Sequence, residues 1–409
     1  MTSEGTSHGR LGTYELVRPL AQGGMANIYL ARRDDDQVVA VKVLNDTRAS
    51  DSEACSMFLD EARVVALLSH PNIAGVLDVN VSDEGKHYLA MEYVNGVDLR
   101  ELLAAAGQAN RKLPYETAIA IVMSAAAGLD HAHRRCGPDG KPLRLVHRDV
   151  SLSNIMVGHD GIVKVVDFGI ATTTLATVHT SPGVVRGKAS YMSPEQCLGD
   201  RVDHRTDVFA LGIVLYELAT GARCFAGKSD FDRMLAVVRG DYILPRDIVA
   251  DVPVELEQVI RCALSIDAGQ RYDSAAALIE ALDGILRFRG WTGGTEAIRR
   301  TMAALFATQP AMLVDDPAVT ERHEPVRQRL ARGTESDLVD TESDKSGEGR
   351  SSAVDDQPTL LARGSQPDLV LAAWAPTPFP VEKIDDLDDQ LTRGRRTLRR
   401  PASAPHIRR

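Results

Sequence analysis

Between Tyr14 and about Leu89 apolar and polar residues alternate in short runs. Leu11-Gly-Thr-Tyr-Glu-Leu16 and Ile28-Tyr-Leu-Ala-Arg32 read as half-buried strands, and Val38-Val-Ala-Val-Lys-Val-Leu44 is a β-branched run after the Asp34-Asp-Asp36 turn. One helix interrupts them. From Met57 to Leu68 the apolar residues Phe58, Ala62, Val65 and Leu68 recur at helical spacing, and His70-Pro71 closes the segment. From Asp98 to Arg289 helical patterns dominate, broken by two short strands, Asn154–Val157 and Ile162–Val166, around the turn Gly158-His-Asp-Gly161. A β-rich part followed by an α-rich part predicts an α+β protein of two lobes with a cleft between them.

Beyond about residue 310 the periodicity stops. Pro, Ser, Gly, Asp and Arg crowd in, which predicts a disordered tail over 311–409. The tail repeats one ten-residue stretch, Leu330–Val339 and Leu361–Val370, which is too short for a solenoid, and it ends in an Arg-rich block after Leu391. The 409 residues carry a formal charge of −10, which gives no support to bulk binding of nucleic acid. Five scattered cysteines (Cys55, Cys136, Cys197, Cys224 and Cys262) form no C-x-x-C pair, so neither a zinc site nor a disulfide framework is signalled, and a cytoplasmic location is the expectation. The longest apolar runs, Ala118–Leu129 and Phe209–Leu218, fall short of the ~18 residues a membrane span needs.

The chemistry lies in separated motifs. His147-Arg-Asp-Val-Ser-Leu-Ser-Asn154 fits H-R-D-x-x-x-x-N, and Asp167-Phe-Gly169 follows after the predicted hairpin. Upstream, Lys42 in Val39-Ala-Val-Lys42 stands on a predicted strand, with Glu61 on the helix after it. At these residues the chain resembles the protein kinase family, and its wording resembles the bacterial serine/threonine kinases of eukaryotic-like type. The resemblance implies a bilobal kinase fold over 14–288, with a small β-rich lobe at about 14–91 and a larger helical lobe at about 95–288. Residues 1–13 are then an extension, 289–310 a linker and 311–409 a regulatory tail.

The resemblance further implies ATP and Mg²⁺ as cofactors and proteins as substrates, among them this chain itself, with two copies acting on each other in trans. In the family Asp149 would take the acceptor hydroxyl's proton, Asn154 and Asp167 would hold magnesium, and Glu61 would pair with Lys42 over the phosphates. The nucleotide set would be Leu20, Gly23, Gly24, Ile28, Ala40, Lys42, Met91, Glu92, Val94 and Asp98, with Met91-Glu92-Tyr-Val94 as the hinge.

Where the family writes G-x-G-x-x-G, this chain has Ala21-Gln-Gly23-Gly24-Met-Ala26, so weaker nucleotide binding or a stiffer loop is expected, with no loss of the site. Ser193-Pro-Glu195 resembles the A-P-E element with Arg271 as ion partner, and Asp207–Gly212 resembles the helix that anchors the catalytic loop.

The family's catalytic-loop Lys is Ser151 here, and Lys188 stands where a Thr is usual. The expectation is that Lys188 and Ser151 have exchanged roles. Arg148 would clamp a phosphorylated activation segment, with Thr180 and Ser181 the first acceptors, and Thr334, Ser365, Thr397 and Ser403 are expected tail acceptors, with Asp98 meeting their basic neighbours. A catalytically silent scaffold is the alternative, resting on Ala21, Ala26 and Ser151.

Overall fold

The computed structural model describes residues 9–45, 48, 51–137, 139–168 and 188–307; inside helices, the side chains of residues 52, 53, 57, 60, 61 and 188 lie outside that description. Six antiparallel strands form the first sheet: β1 (Arg10–Leu11), β2 (Tyr14–Gln22), β3 (Ala26–Arg33), β4 (Val38–Leu44), β5 (Val76–Val81) and β6 (His87–Glu92), in the order β1-β2-β3-β4-β6-β5. Helix α1 (Ser52–Ala66) runs between β4 and β5. Strand β4 is the run read from its β-branched pattern, and its period of two sorts its residues. Val39, Val41 and Val43 pack with Leu16, Tyr14 and Tyr88 on one face, while Leu44 packs with Phe58, Ala62 and Leu89 on the other. Lys42 shares that second face, toward α1. β1 pairs with β2, so residues 10 and 11 belong to the sheet although the sequence assigned them to an extension.

A second sheet, β7 (Gly96–Asp98), β8 (Ile155–Gly158) and β9 (Val163–Val165), opens the helical part. Its helices are α2 (Leu99–Gln108), α3 (Tyr115–His133), α4 (Pro194–Leu198), α5 (Arg205–Thr220), α6 (Asp230–Arg239), α7 (Pro245–Ile248), α8 (Val254–Ala263), α9 (Ala275–Arg289) and α10 (Thr295–Phe306). Helix α5 is the axle: fourteen of its sixteen residues are buried, so its apolar run reads as a core helix with no solvent face.

Helix α10 corrects the expectation of a linker over 289–310. Ala297, Ile298, Met302 and Phe306 are buried along one face against α3 and α2, and Thr301 Oγ1 lies 2.9 Å from Thr117 Oγ1 on α3. The N-terminal turn of α10 presses on the β8–β9 hairpin, where a Cβ on Gly161 would come within 2.4 Å of Thr295 O. Gly161 also has a φ of 86°, so glycine is required there on two grounds. The expectations for 1–8 and for the tail beyond 307 lie outside the described residues.

Candidate active site

The catalytic loop is built on α5. Asp207, fully buried in its first turn, accepts from the backbone N–H of His147 and of Arg148, both at 2.9 Å, and lies 2.7 Å from His133 Nε2. Those bonds hold Arg148 at a φ of 65°, a conformation that needs support from its surroundings. Burial opposes the charge of Asp207, yet the bond from His133 and the neighbouring His147 hold its carboxyl below the ordinary range.

His147 is itself buried. Its Nδ1 accepts from Asp149 N–H at 3.3 Å and its Nε2 lies 3.0 Å from Val166 O, which fixes the tautomer with the proton on Nε2. Its ring centre lies 4.6 Å from that of Phe168.

Asn154 closes the loop. Its amide donates to Asp149 O at 2.8 Å and to Asp149 Oδ2 at 3.0 Å, so one side chain aims the candidate base. Val166 N–H donates to Asn154 O at 3.0 Å, a cross-strand link that places Asp167 at the adjoining end of the same hairpin. Across the cleft, Lys42 Nζ donates to Asp167 Oδ1 at 3.0 Å.

Strand β4 of the sheet and the end of the hairpin therefore meet at one cation and one carboxylate. Among the described residues no three His, Cys, Asp or Glu side chains gather that could hold a metal by themselves. The oxygens of Asn154 and Asp167 fit magnesium, which takes few protein ligands and completes its shell with phosphate and water. The pairing expected between Lys42 and Glu61 falls on a side chain outside the described residues, although Glu61 does stand on α1.

The nucleotide edge departs from the sequence reading in one respect. Ala21 pairs with Ile28 in the β2–β3 ladder and Ala26 with Leu44 in the β3–β4 ladder, and neither has a positive φ. The conformational reason for expecting a penalty from alanine is therefore absent. Asn45, which the sequence did not single out, donates to Gly23 O at 2.8 Å and takes the place of a second tie on the turn.

At the hinge, Lys164 on β9 pairs with Glu92 at 2.7 Å, both side chains being largely buried, and Glu92 also accepts from Gly75 N–H. Leu20 is exposed, Gly23 and Gly24 lie at the β2–β3 turn, Ile28 pairs with Lys42, and Ala40 pairs with Met91. Val94 follows β6 in the stretch leading to β7.

Asp98 is not free to meet a basic peptide. Its Oδ1 caps α2 through Glu101 N–H at 2.9 Å, and its Oδ2 accepts twice from Arg100, at 3.1 and 2.6 Å.

Glu195 and Arg271 form the expected pair, with two bonds at 2.8 and 2.7 Å and the Arg271 side chain fully buried. Burial works against the charge of Glu195, but bonds from Arg271 and Thr206 bring its carboxyl down to about 2. Gln196 on α4 donates to Arg148 O at 2.9 Å, joining this platform to the catalytic loop.

Ser151 is buried with its Oγ 2.9 Å from Ser153 Oγ. The side chain of Lys188 and residues 169–187 of the activation segment, with Thr180 and Ser181, lie outside the described residues, as do the tail acceptors.

The protein kinase domain model matches residues 14–281. The chain is 39% identical over 279 residues to the tyrosine-protein kinase MasK of Myxococcus xanthus, covering 67% of this chain and 43% of that protein. It is 36% identical over 267 residues to the serine/threonine-protein kinase PrkC of Bacillus subtilis, covering 64% and 39%. The chain thus spans about two fifths of the length of these curated relatives. The crystal structure of the Mycobacterium tuberculosis PknI kinase domain superposes with a TM-score of 0.52 at 28% identity, covering 68% of this chain and 98% of that one.

Proposed function

Because the chain belongs to the protein kinase domain family, we propose that it transfers the γ-phosphoryl group of ATP to Ser or Thr hydroxyls of proteins, its own chain included. The observation that carries the reading is the pair of linked contacts at the cleft: Lys42 to Asp167 across the lobes, and Asn154 to the carboxylate of Asp149. In the transfer the acceptor oxygen bonds to the γ-phosphorus, the bond from that phosphorus to the β–γ bridging oxygen breaks, and the hydroxyl proton passes to Asp149. ADP leaves with the bridging oxygen. Lys42 holds the phosphates in line, and Asn154 keeps Asp149 aimed at the hydroxyl. Magnesium, held by Asn154 and Asp167, would neutralise charge on the phosphate oxygens.

The relatives are named as a serine/threonine kinase in one case and a tyrosine kinase in the other, so phosphoamino-acid analysis of the product is the direct check on the acceptor. The presence of Lys42, Asp149, Asn154 and Asp167 at bonding distances favours catalysis over a silent scaffold. No helix among the described residues is long and apolar enough to cross a membrane, and a cytoplasmic site of action is part of the proposal. Lys42→Met, which keeps apolar volume and removes the cation, is expected to fold and to lose transfer by ~10³-fold or more. Near-normal turnover by that variant, purified free of other kinases, would remove the active-site assignment.

A further inference from the structure

Two arginines stand on the acceptor side of the site, each moored by a buried carboxylate. Arg223, just past α5, donates to Tyr191 OH at 2.9 Å, lies 3.5 Å from Glu217, and sits 5.9 Å from the centre of the Tyr191 ring. Glu217 is 3% exposed at its side chain and also accepts from Tyr191 OH at 2.7 Å. Burial lifts the Glu217 carboxyl above its ordinary range, and the bonds from Tyr191 and Arg223 act against that rise. Arg100 is held in the same manner by Asp98, whose side chain is 10% exposed, and Tyr191 is near enough to act on the charge of Arg100, as does Glu101.

Their location follows from the helices. Glu217 lies ten residues beyond Asp207 on α5, about 15 Å along the axis from the grip on Arg148. An extended peptide covers that distance in roughly four or five residues. Arg100 opens α2, and its partner Asp98 pairs with Met156, two residues past Asn154. Tyr191 lies near the C-terminal end of the activation segment, four residues before Glu195. A peptide whose hydroxyl reaches Asp149 therefore has this surface within reach of its flanking residues.

Left bare, Asp98 and Glu217 would attract basic flanks. Here each is taken by an arginine of the same chain, so that attraction is cancelled. Both guanidiniums remain more than half exposed, at 62% and 57%, and among the described residues their other N–H donors have no protein partner. A moored guanidinium with outward donors is preorganised for a carboxylate or a phosphate, since the bond inward has already fixed its plane.

We propose that Arg100 and Arg223 form an anion-recognising pair, so that the preferred acceptor hydroxyls stand among acidic or phosphorylated residues. The inference rests on the kinase reading above and specifies its substrate class. The chain carries such acceptors itself: Ser336 lies between Glu335 and Asp337, Thr341 between Asp340 and Glu342, and Ser343 between Glu342 and Asp344. These replace Thr397 and Ser403, which lie among arginines, as the tail sites to be modified first.

The test uses the full chain, Mg-ATP and four peptides with one Ser acceptor, flanked by Asp/Glu, by Gln, by Arg or by phosphoserine. The wild type is expected to use an anionic peptide about tenfold better in kcat/KM than the Gln peptide, and the Arg peptide least. The two anionic arms show whether carboxylate or phosphate is the preferred source.

The ratio of anionic to Gln peptide should fall toward one in the Arg100→Gln, Arg223→Gln double variant. Arg223→Lys, which keeps a cation beside Glu217, should give an intermediate ratio. Because each ratio is taken within one enzyme, a smaller folded fraction does not move it. A wild-type ratio near one, a preference for the Arg peptide, or a ratio undiminished in the double variant would overturn the inference while leaving the kinase reading intact. Transfer to no peptide and no protein by a folded wild type would overturn both.

Discussion

The catalytic loop and the turn between β2 and β3 face the same cleft, yet they are held in opposite ways. Around Asp149 almost every polar group has a fixed partner: Asp207 grips two backbone N–H groups, Asn154 bonds twice to Asp149, His147 spans to Val166, and Gln196 reaches Arg148 O. Val17 to Gly24, by contrast, are all exposed, and among the described residues the turn is tied by Gly23 N–H to Ala26 O and by Asn45 to Gly23 O. Chemistry profits from groups that need no rearrangement when charge develops, whereas a cover over a ligand must open for exchange. Dense bonding thus surrounds the proposed proton acceptor Asp149, and an exposed, lightly tied turn stands at the proposed nucleotide edge.

Substitutions at the two regions should differ in kind as well as in size. The largest effect is expected at Asp207→Asn, which removes a buried charge and unbalances the support for Arg148. It should cost about 3–5 kcal/mol of stability and lower transfer by ~10²-fold or more, read by thermal unfolding and by steady-state kinetics. An unchanged kcat would show that the loop keeps its geometry without that grip.

Glu195→Gln leaves Arg271 buried opposite a neutral partner and should cost about 3 kcal/mol. It also carries a pH signature. The folded-state carboxyl of Glu195 is depressed from 4.5 to about 2, so its stabilisation is fully present above pH 4.5 and is lost as the pH falls toward 2. Denaturation curves of wild type and variant between those limits should converge on acidification, and parallel curves would contradict the assignment.

The smallest effects belong to the turn. Asn45→Ala should raise KM for ATP about threefold with kcat little altered, through the lost bond to Gly23 O. Ala26→Gly should cost ~0.5–1 kcal/mol of stability and leave KM for ATP within about twofold. A large gain in ATP affinity from Ala26→Gly would restore the idea that alanine handicaps this loop.

Much of this was legible in the sequence, because the residues that carry the chemistry are chosen by type and spacing. The β4 run, the hairpin between Asn154 and Asp167, and the pairing of Glu195 with Arg271 all appear where pattern or resemblance put them. What escaped depends on contacts between residues that no pattern links. His133 ends a helix and meets Asp207 74 residues later. Arg100 lies two residues from Asp98, a spacing without periodic meaning, yet its guanidinium occupies that carboxylate.

Helix α10 was hidden by Gly290, Gly293 and Gly294, which punctuate the chain just before it and suggest a loop. Its apolar face, Ala297, Ile298, Met302 and Phe306, is too sparse to stand out without knowledge of the surface on α3 that it covers.

The docking of α10 also determines where the rest of the chain is anchored. Phe306 lies with its ring 6.1 Å from that of His159, whose N–H donates to Asn95 O just after the hinge, so the last described turn is fixed beside the stretch that joins β6 to β7. Ser336 comes 29 residues past Ala307, which limits its distance from that anchor to ~100 Å whatever path the chain takes. Within a volume of that radius one tethered acceptor corresponds to a local concentration far above that of any dilute partner. Labelling of Ser336, Thr341 and Ser343 should accordingly proceed at a rate per molecule that survives dilution of the enzyme, and a rate that falls in proportion to concentration would mean that one copy serves another.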